Sequence, residues 1–149
     1  IDLKQCIDKA TKNIGAIARD MDVKIINEVD PTIKVKGLSA YLDSILLNFL
    51  TNGVKYCSPE RKSYIKLSAK VQKKFVVLSI EDNGIGIDLK KNESKLFGMY
   101  KTFHKNKDAR GIGLFITKNQ VEAIGGKIET ESTVNKGTTF KIYFRYEKN

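Results

Sequence analysis

The stretch Ser39-Ala-Tyr-Leu42-Asp-Ser-Ile45-Leu46-Leu-Asn48-Phe49-Leu50-Thr-Asn52-Gly53-Val-Lys55-Tyr56 decides the fold. At about 100° per residue, Leu42, Ile45, Leu46, Phe49 and Leu50 share one arc of a helix, which must face a core. Asn48, Asn52 and Lys55 fall within an adjoining arc of about 60°, with Tyr56 on its boundary. A solvent stripe is ordinarily built from Glu and Lys, and Asn is a poor helix former. Two Asn one turn apart beside a core face therefore have one of two uses. Their amides bond into the protein interior, or their oxygens are held for a ligand.

Working outward, the helix must stop before Ser58-Pro59, because the residue before proline resists helical geometry. Upstream, Leu3, Ile7, Ala10, Ile14, Ile17 and Met21 step by four and three, which predicts one amphipathic helix. Val23–Val29 reads as a strand with a turn at Asp30-Pro31, and Ile33–Lys36 as a short extended piece ending at Gly37. Downstream, Tyr64–Val71 and Phe75–Asp82 read as strands joined by the polar turn Gln72-Lys73-Lys74. Residues 88 to 110 show no clean period, and a long irregular segment in a compact domain is usually functional or disordered. A third helix opens near Gly111–Gly113 and stops at Gly125-Gly126. Lys127–Val134 and Thr138–Tyr146 close a hairpin, where Phe140, Ile142 and Phe144 alternate with Lys141, Tyr143 and Arg145. One face of that hairpin is thus buried and the other mostly wet. The sum predicts an α+β fold: a two-layer α/β sandwich whose mixed, mostly antiparallel sheet is covered by about three helices.

Length and composition bound the function. A chain of 149 residues is one domain by size, 1–149, and needs no disulfide or metal staple. With 41% hydrophobic and 30% charged residues it has the balance of a globular protein. No apolar run approaches the roughly 20 residues that span a bilayer, and no signal peptide opens the chain. It begins with Ile1 rather than Met, so a piece of a longer protein is expected. Cys6 and Cys57 stand apart from any metal-binding pattern, which argues against structural zinc and fits a reducing, cytoplasmic setting. The formal charge of +10 invites a nucleic-acid reading. However, the Lys residues are scattered, and neither a basic helix nor a basic–aromatic sheet motif occurs. A solvated basic surface or attraction to a polyanionic ligand or acidic partner is left.

Two further clusters carry chemistry. Asp82 lies in register with Val76, Leu78 and Ile80, so an apolar strand face ends in a carboxylate, which is costly to bury without hydrogen bonds. The following Asn83-Gly84-Ile85-Gly86 lets the backbone turn and approach a flat ligand closely. An exocyclic amine such as that of adenine would satisfy Asp82; so would its own turn backbone. Gly111-Ile112-Gly113-Leu114 opens a helix, whose N-terminal N–H groups favour phosphate. Neither a Walker A loop nor a dinucleotide fingerprint is present.

Together these segments resemble the ATP-binding catalytic domain of sensor histidine kinases, in the wider family shared with gyrase, MutL and the heat-shock chaperone ATPases. The resemblance covers essentially the whole chain, in five motifs in order. Asn48-Phe-Leu-Thr-Asn52-Gly-Val-Lys55-Tyr56 looks like the asparagine box, Asp82-Asn-Gly84-Ile85-Gly86 like the first glycine box, and Leu96-Phe97-Gly98-Met99-Tyr100 like the phenylalanine box. Gly111-Ile112-Gly113-Leu114 matches the second glycine box, and Lys136-Gly-Thr-Thr139-Phe140 the final strand motif. The resemblance implies a Bergerat-type fold binding ATP with Mg2+, with Asn52 as the metal ligand. Asn48 and Lys55 would reach the phosphates, Tyr56 would lie against adenine, and Asp82 would bond its amino group. Gly84, Ile85, Gly86, Tyr100, Lys101, Arg110, Gly111, Ile112, Gly113, Leu114 and Thr139 complete the expected nucleotide contacts. Residues 88–110 would form a mobile lid. Three departures stand out: Gly53 where Ala is usual, expected to weaken the helix slightly; Ala109 at the first glycine of the second box; and Phe115 for a small residue.

Transfer to an acceptor rather than hydrolysis is implied at one position. Phosphoryl transfer is mostly positioning and charge neutralisation. A water nucleophile benefits from a general base, whereas a neutral imidazole is already nucleophilic. Hydrolysing relatives carry a Glu one turn before the magnesium Asn, and Asn48 there cannot take a proton. His104, the single His, sits in the presumed lid and is followed by Lys105-Asn106, so it reads as a solvated side chain. The expected acceptor is therefore a histidine on separate dimerisation helices of the parent protein, with a response regulator receiver domain beyond it. The expected parent is a homodimer, membrane-anchored or not, and the isolated domain a monomer. The alternatives are a clamp-type ATPase and a non-catalytic nucleotide-binding module.

Overall fold

A computed structural model describes residues 1–87 and 110–148, with 110–113 by backbone alone. The chain runs α1 (Leu3–Asn13), α2 (Gly15–Asp20), β1 (Val23–Asn27), β2 (Val35–Lys36), α3 (Ser39–Lys55), β3 (Ser63–Gln72) and β4 (Phe75–Asp82). It continues through α4 (Arg110–Ala123), β5 (Lys127–Thr133) and β6 (Gly137–Tyr146). The strands form one sheet in the order β1-β3-β4-β6-β2, with β5 also paired to β6. β1 and β3 are parallel, Val23 opposite Ser63. A parallel pair needs a long crossover, and α3 lies within it. The remaining pairings are antiparallel, giving the mixed α+β sandwich expected.

The core lies between the helices and one sheet face. Leu42, Ile45, Leu46, Phe49 and Leu50 of α3 are all buried, as their spacing requires. They meet Ile65 and Leu67 of β3, Val76, Leu78 and Ile80 of β4, and Phe140, Ile142 and Phe144 of β6 in one cluster. The rings of Phe49 and Phe140 sit 4.8 Å apart, tilted by 50°. At about 1.5–3 kcal/mol per fully buried large side chain, this stripe is the main force holding α3 on the sheet.

Two expectations are corrected. The N-terminal helix is two helices, broken at Ile14 (φ −100, ψ 10) just before Gly15, whose backbone costs about 1 kcal/mol in a helix interior. The break shifts the phase: Leu3, Ile7, Ala10 and Ile14 are buried, but Ala18 takes the next inward place while Ile17 and Met21 are each 45% exposed. The outer sheet face is also less wet than alternation suggests. Tyr143 meets Phe75 edge-on at 5.8 Å, and the Lys127 ammonium lies 4.5 Å from the Tyr143 ring centre. Val77, on that face, is buried.

Asp2 caps α1, its Oδ1 accepting from the Gln5 N–H at 3.1 Å, while Oδ2 pairs with Lys34 at 3.4 Å. The Gln5 hydrogen bond, followed by the Lys34 charge acting against a small burial cost, lowers the Asp2 pKa. A depressed folded-state pKa stabilises fully above the unfolded value of about 3.9 and loses that stabilisation as pH falls through the folded value. Asp2→Ala should cost about 1 kcal/mol at neutral pH. Chemical denaturation repeated at falling pH should show the gap between variant and parent closing in strong acid.

Candidate functional site

The asparagine helix, the end of β4 and the β5–β6 hairpin converge on the turn formed by residues 83–87. Asp82 Oδ1 accepts from the Gly84 N–H at 2.9 Å and from the Thr138 N–H at 3.3 Å. Those two donors lower the cost of a half-buried carboxylate and fix its rotamer. The turn beyond it is tied on both sides. Ile85 donates its N–H to the Tyr56 carbonyl at the end of α3 (3.0 Å), and its own carbonyl accepts from the Asn135 N–H (2.7 Å). Ile87 donates its N–H to Ser132 Oγ on β5 at 2.8 Å. Asn83 replaces the next sheet pair with its side chain, accepting from the Tyr64 N–H at 3.0 Å and donating to the Lys62 carbonyl at 2.8 Å.

The two glycines have separate reasons. A β-carbon on Gly84 would run into the Tyr56 carbonyl oxygen, so only glycine lets the turn touch α3. Gly86 adopts φ +76 against the Thr133 carbonyl, a conformation that side chains disfavour. Arg61 braces the same turn from outside, its Nη2 donating to the Asn135 carbonyl at 2.8 Å and to that of Gly84 at 3.4 Å.

On α3, Asn48 donates from Nδ2 to Thr117 Oγ1 at 2.9 Å, and Thr117 is fully buried on α4. The Asn48 amide thus joins the two helices, the interior use foreseen as one alternative. Asn52 is half-buried, and its carbonyl accepts from the Tyr56 N–H as α3 ends. Lys55 is exposed in the last turn, where a cation suits the negative end of the helix dipole. Tyr56 is half-buried, and Ile85 keeps its side chain exposed although its backbone is fully engaged. Among the described residues, no three His, Cys, Asp or Glu gather as a metal cage. An Asn amide oxygen, such as that of Asn52, is chemically suited to share Mg2+ with phosphates.

The structure brings Tyr56, Asp82, Gly84 and Ile85 together at this turn, with Gly86 against Thr133 and Asn52 one turn before Tyr56, while Asn48, a turn earlier still, is tied to Thr117 of α4. Thr139 is not brought to Asp82. It pairs with Glu81 on the opposite sheet face, and the neighbour of Asp82 is Thr138, one residue earlier, buried and sharing a hydrogen bond of 2.8 Å with Ser132. The antiparallel register sets which of the two threonines faces inward. Gly111, Ile112 and Gly113 lie in the first turn of α4, which begins at Arg110, while Leu114 is buried in the core. Tyr100, Lys101, His104, Ala109 and the phenylalanine box lie outside the described residues, as does residue 88–109 of the expected lid. Sequence reasoning missed Thr117, Ser132, Asn135 and Arg61. Only Thr117 carried a signal, as a polar residue between Leu114 and Val121 on one helix face.

A family model for the histidine kinase-, DNA gyrase B- and HSP90-like ATPases matches residues 37–148, and the chain belongs to that family. Within it, the chain is similar to the signal transduction histidine-protein kinase ArlS of Staphylococcus aureus strain USA300, with 30% identity over 115 residues. That match covers 75% of this chain and 25% of the relative, so the chain spans a quarter of the curated relatives it matches. The mycobacterial sensor histidine kinase MprB superposes with a TM-score of 0.82 at 23% identity, covering 100% of this chain and 97% of that one. The nucleotide-free catalytic domain of the histidine kinase ThkA gives 0.83 at 22% identity, covering 97% of this chain and 95% of that one. Full-length ShkA, in complex with AMPPNP, gives 0.82 at 22% identity, covering 100% of this chain and 31% of that one. These relatives and solved structures are all histidine kinases, and the structures share the fold of this chain.

Two substitutions test this architecture. Thr117→Val leaves the Asn48 amide without its acceptor and should cost about 1–3 kcal/mol, read from the denaturant midpoint. Gly84→Ala should drive the turn off α3, and hydrogen exchange at the Ile85 amide should accelerate while amides in the middle of β4 stay protected.

Proposed function

We propose that this chain, residues 1–149 as one catalytic domain, binds ATP with Mg2+ and transfers the γ-phosphoryl group to a histidine on separate dimerisation helices in two-component signal transduction. The observation that carries the reading is Asp82: its Oδ1 is held by two backbone N–H groups beside a turn that only glycine can bring against α3. A carboxylate fixed in this way is oriented to accept from the exocyclic amine of adenine, and Tyr56 and the exposed Ile85 side chain supply apolar surface for its ring. The complex of ShkA with AMPPNP is in line with a nucleotide in this fold. Bound Mg2+ would neutralise charge on the triphosphate, and the Asn52 amide oxygen is the group we assign to it.

In the transfer, an imidazole nitrogen of the acceptor attacks the γ-phosphorus, the bond to the β–γ bridging oxygen breaks, and ADP leaves with that electron pair. The chain's part is to hold ATP in line, with Lys55 offering positive charge near the phosphates. Asn48 has no proton-accepting group, and its amide is engaged with Thr117, so this turn of α3 offers nothing to activate water. Handing the phosphoryl group to an acceptor that is already nucleophilic fits that chemistry. We place the domain in the cytoplasm, where ATP is. No helix among the described residues is long and apolar enough to cross a membrane.

Calorimetry with Mg–ATP should show one site. Asp82→Asn should weaken it about tenfold or more, the worth of a hydrogen bond to a charged group, and Asn52→Asp should change its magnesium dependence. The isolated chain should hydrolyse ATP slowly, then phosphorylate histidine when supplied with its dimerisation helices. Rapid turnover alone would point instead to a clamp-type ATPase, and absence of binding to a non-catalytic module.

A further inference from the structure

Gly53 sits buried in α3, one residue after Asn52, and faces β3. A β-carbon placed there would lie 2.7 Å from Ile65 Cδ1, a distance real carbons do not adopt, and 3.9 Å from Asp82 Oδ2. Ile65 stands directly opposite Asp82 in the antiparallel β3–β4 register, on the same face, and is fully buried. The δ-methyl of Ile65 therefore fills the space that a side chain at position 53 would claim. The two Asp82 oxygens have different surroundings. Oδ1 accepts from the Gly84 and Thr138 N–H groups, and Oδ2 lies on the side of α3 at Gly53.

We propose that Gly53 and Ile65 form a complementary pair of positioning residues that sets the place of the Asp82 Oδ2 atom, and through it the preference for a base bearing an exocyclic amine. The inference rests on the reading of Asp82 as the adenine partner. Interiors are close-packed, so one surplus or missing methyl at this point must be absorbed by a neighbour. The neighbours within reach are the Ile65 side chain and the Asp82 carboxylate. Adding a methyl at 53 pushes β3 and the carboxylate away from α3. Removing the δ-methyl at 65 opens a gap beneath the helix and lets the carboxylate settle differently. Making both changes restores the volume with the carbon supplied from the other side.

The test compares magnesium complexes of ATP and inosine triphosphate, which carries an oxo group in place of the amine, by calorimetry on the parent chain, Gly53→Ala, Ile65→Val and the double variant. The parent should prefer ATP by about tenfold or more. Each single variant should lower that preference about threefold, roughly the worth of one buried methylene, with affinity for inosine triphosphate little changed. The double variant should recover the parental preference. Equal loss for both nucleotides in the single variants, an unchanged preference in both, or losses that add in the double variant would each overturn the inference. A parent that binds both nucleotides equally would overturn the adenine reading of Asp82 itself, and the inference with it.

Discussion

The turn after β4 depends on one carbonyl, that of Tyr56, and on three N–H groups, those of Gly84, Asn135 and Thr138. Tyr56 and Asn135 grip the backbone of Ile85 from opposite sides, and Gly84 and Thr138 hold the Asp82 carboxylate from the turn and from β6. None of these four contacts belongs to regular secondary structure. Each satisfies a polar group that would otherwise be buried at a cost of about 1–3 kcal/mol. The rest of the fold serves to bring the four donors and acceptors together. The apolar stripe of α3 sets the height of the Tyr56 carbonyl above the sheet, and the β6 register sets which threonine N–H meets the carboxylate.

This division of labour explains why the site is polar although its surroundings are not. On β4 and β6 the hydrophobic cluster reaches to Ile80 and Phe140, and the next pair on that face is Asp82 and Thr138. Beyond that pair, side chains take over the pairing. Asn83 completes the ladder to β3, while Ser132 closes the gap to β5. On the outer sheet face, the Lys127 ammonium lies over the Tyr143 ring.

How much of this was legible in the sequence depends on how local each cause is. α3 was readable almost to the residue, because five apolar positions and one proline fix its face and its end. Asp82 was readable because a two-residue period ended in a charge. The break at Ile14 was not, since Gly15 is only a weak signal against a continuous stripe. That Thr138 rather than Thr139 stands beside Asp82 was not legible, because two adjacent threonines differ only by register, and register is decided on the partner strand. The Asn48–Thr117 bond, the Ser132 link and the Arg61 brace join residues far apart in sequence. No periodicity encodes such contacts; they follow from packing alone.

The smallest strand has an effect out of proportion to its length. β2 consists of Val35 and Lys36, and both pair with the end of β6, at Tyr146 and Arg145. β2 therefore completes its backbone pairing with a strand more than a hundred residues further along the chain. A ribosome delivering this polypeptide from its N-terminus makes α1, β1 and α3 long before the strand that closes the sheet exists. Until then the inner faces of those elements have no full cover. The site at Asp82, which needs both α3 and β6, is therefore complete only once β6 has joined the sheet.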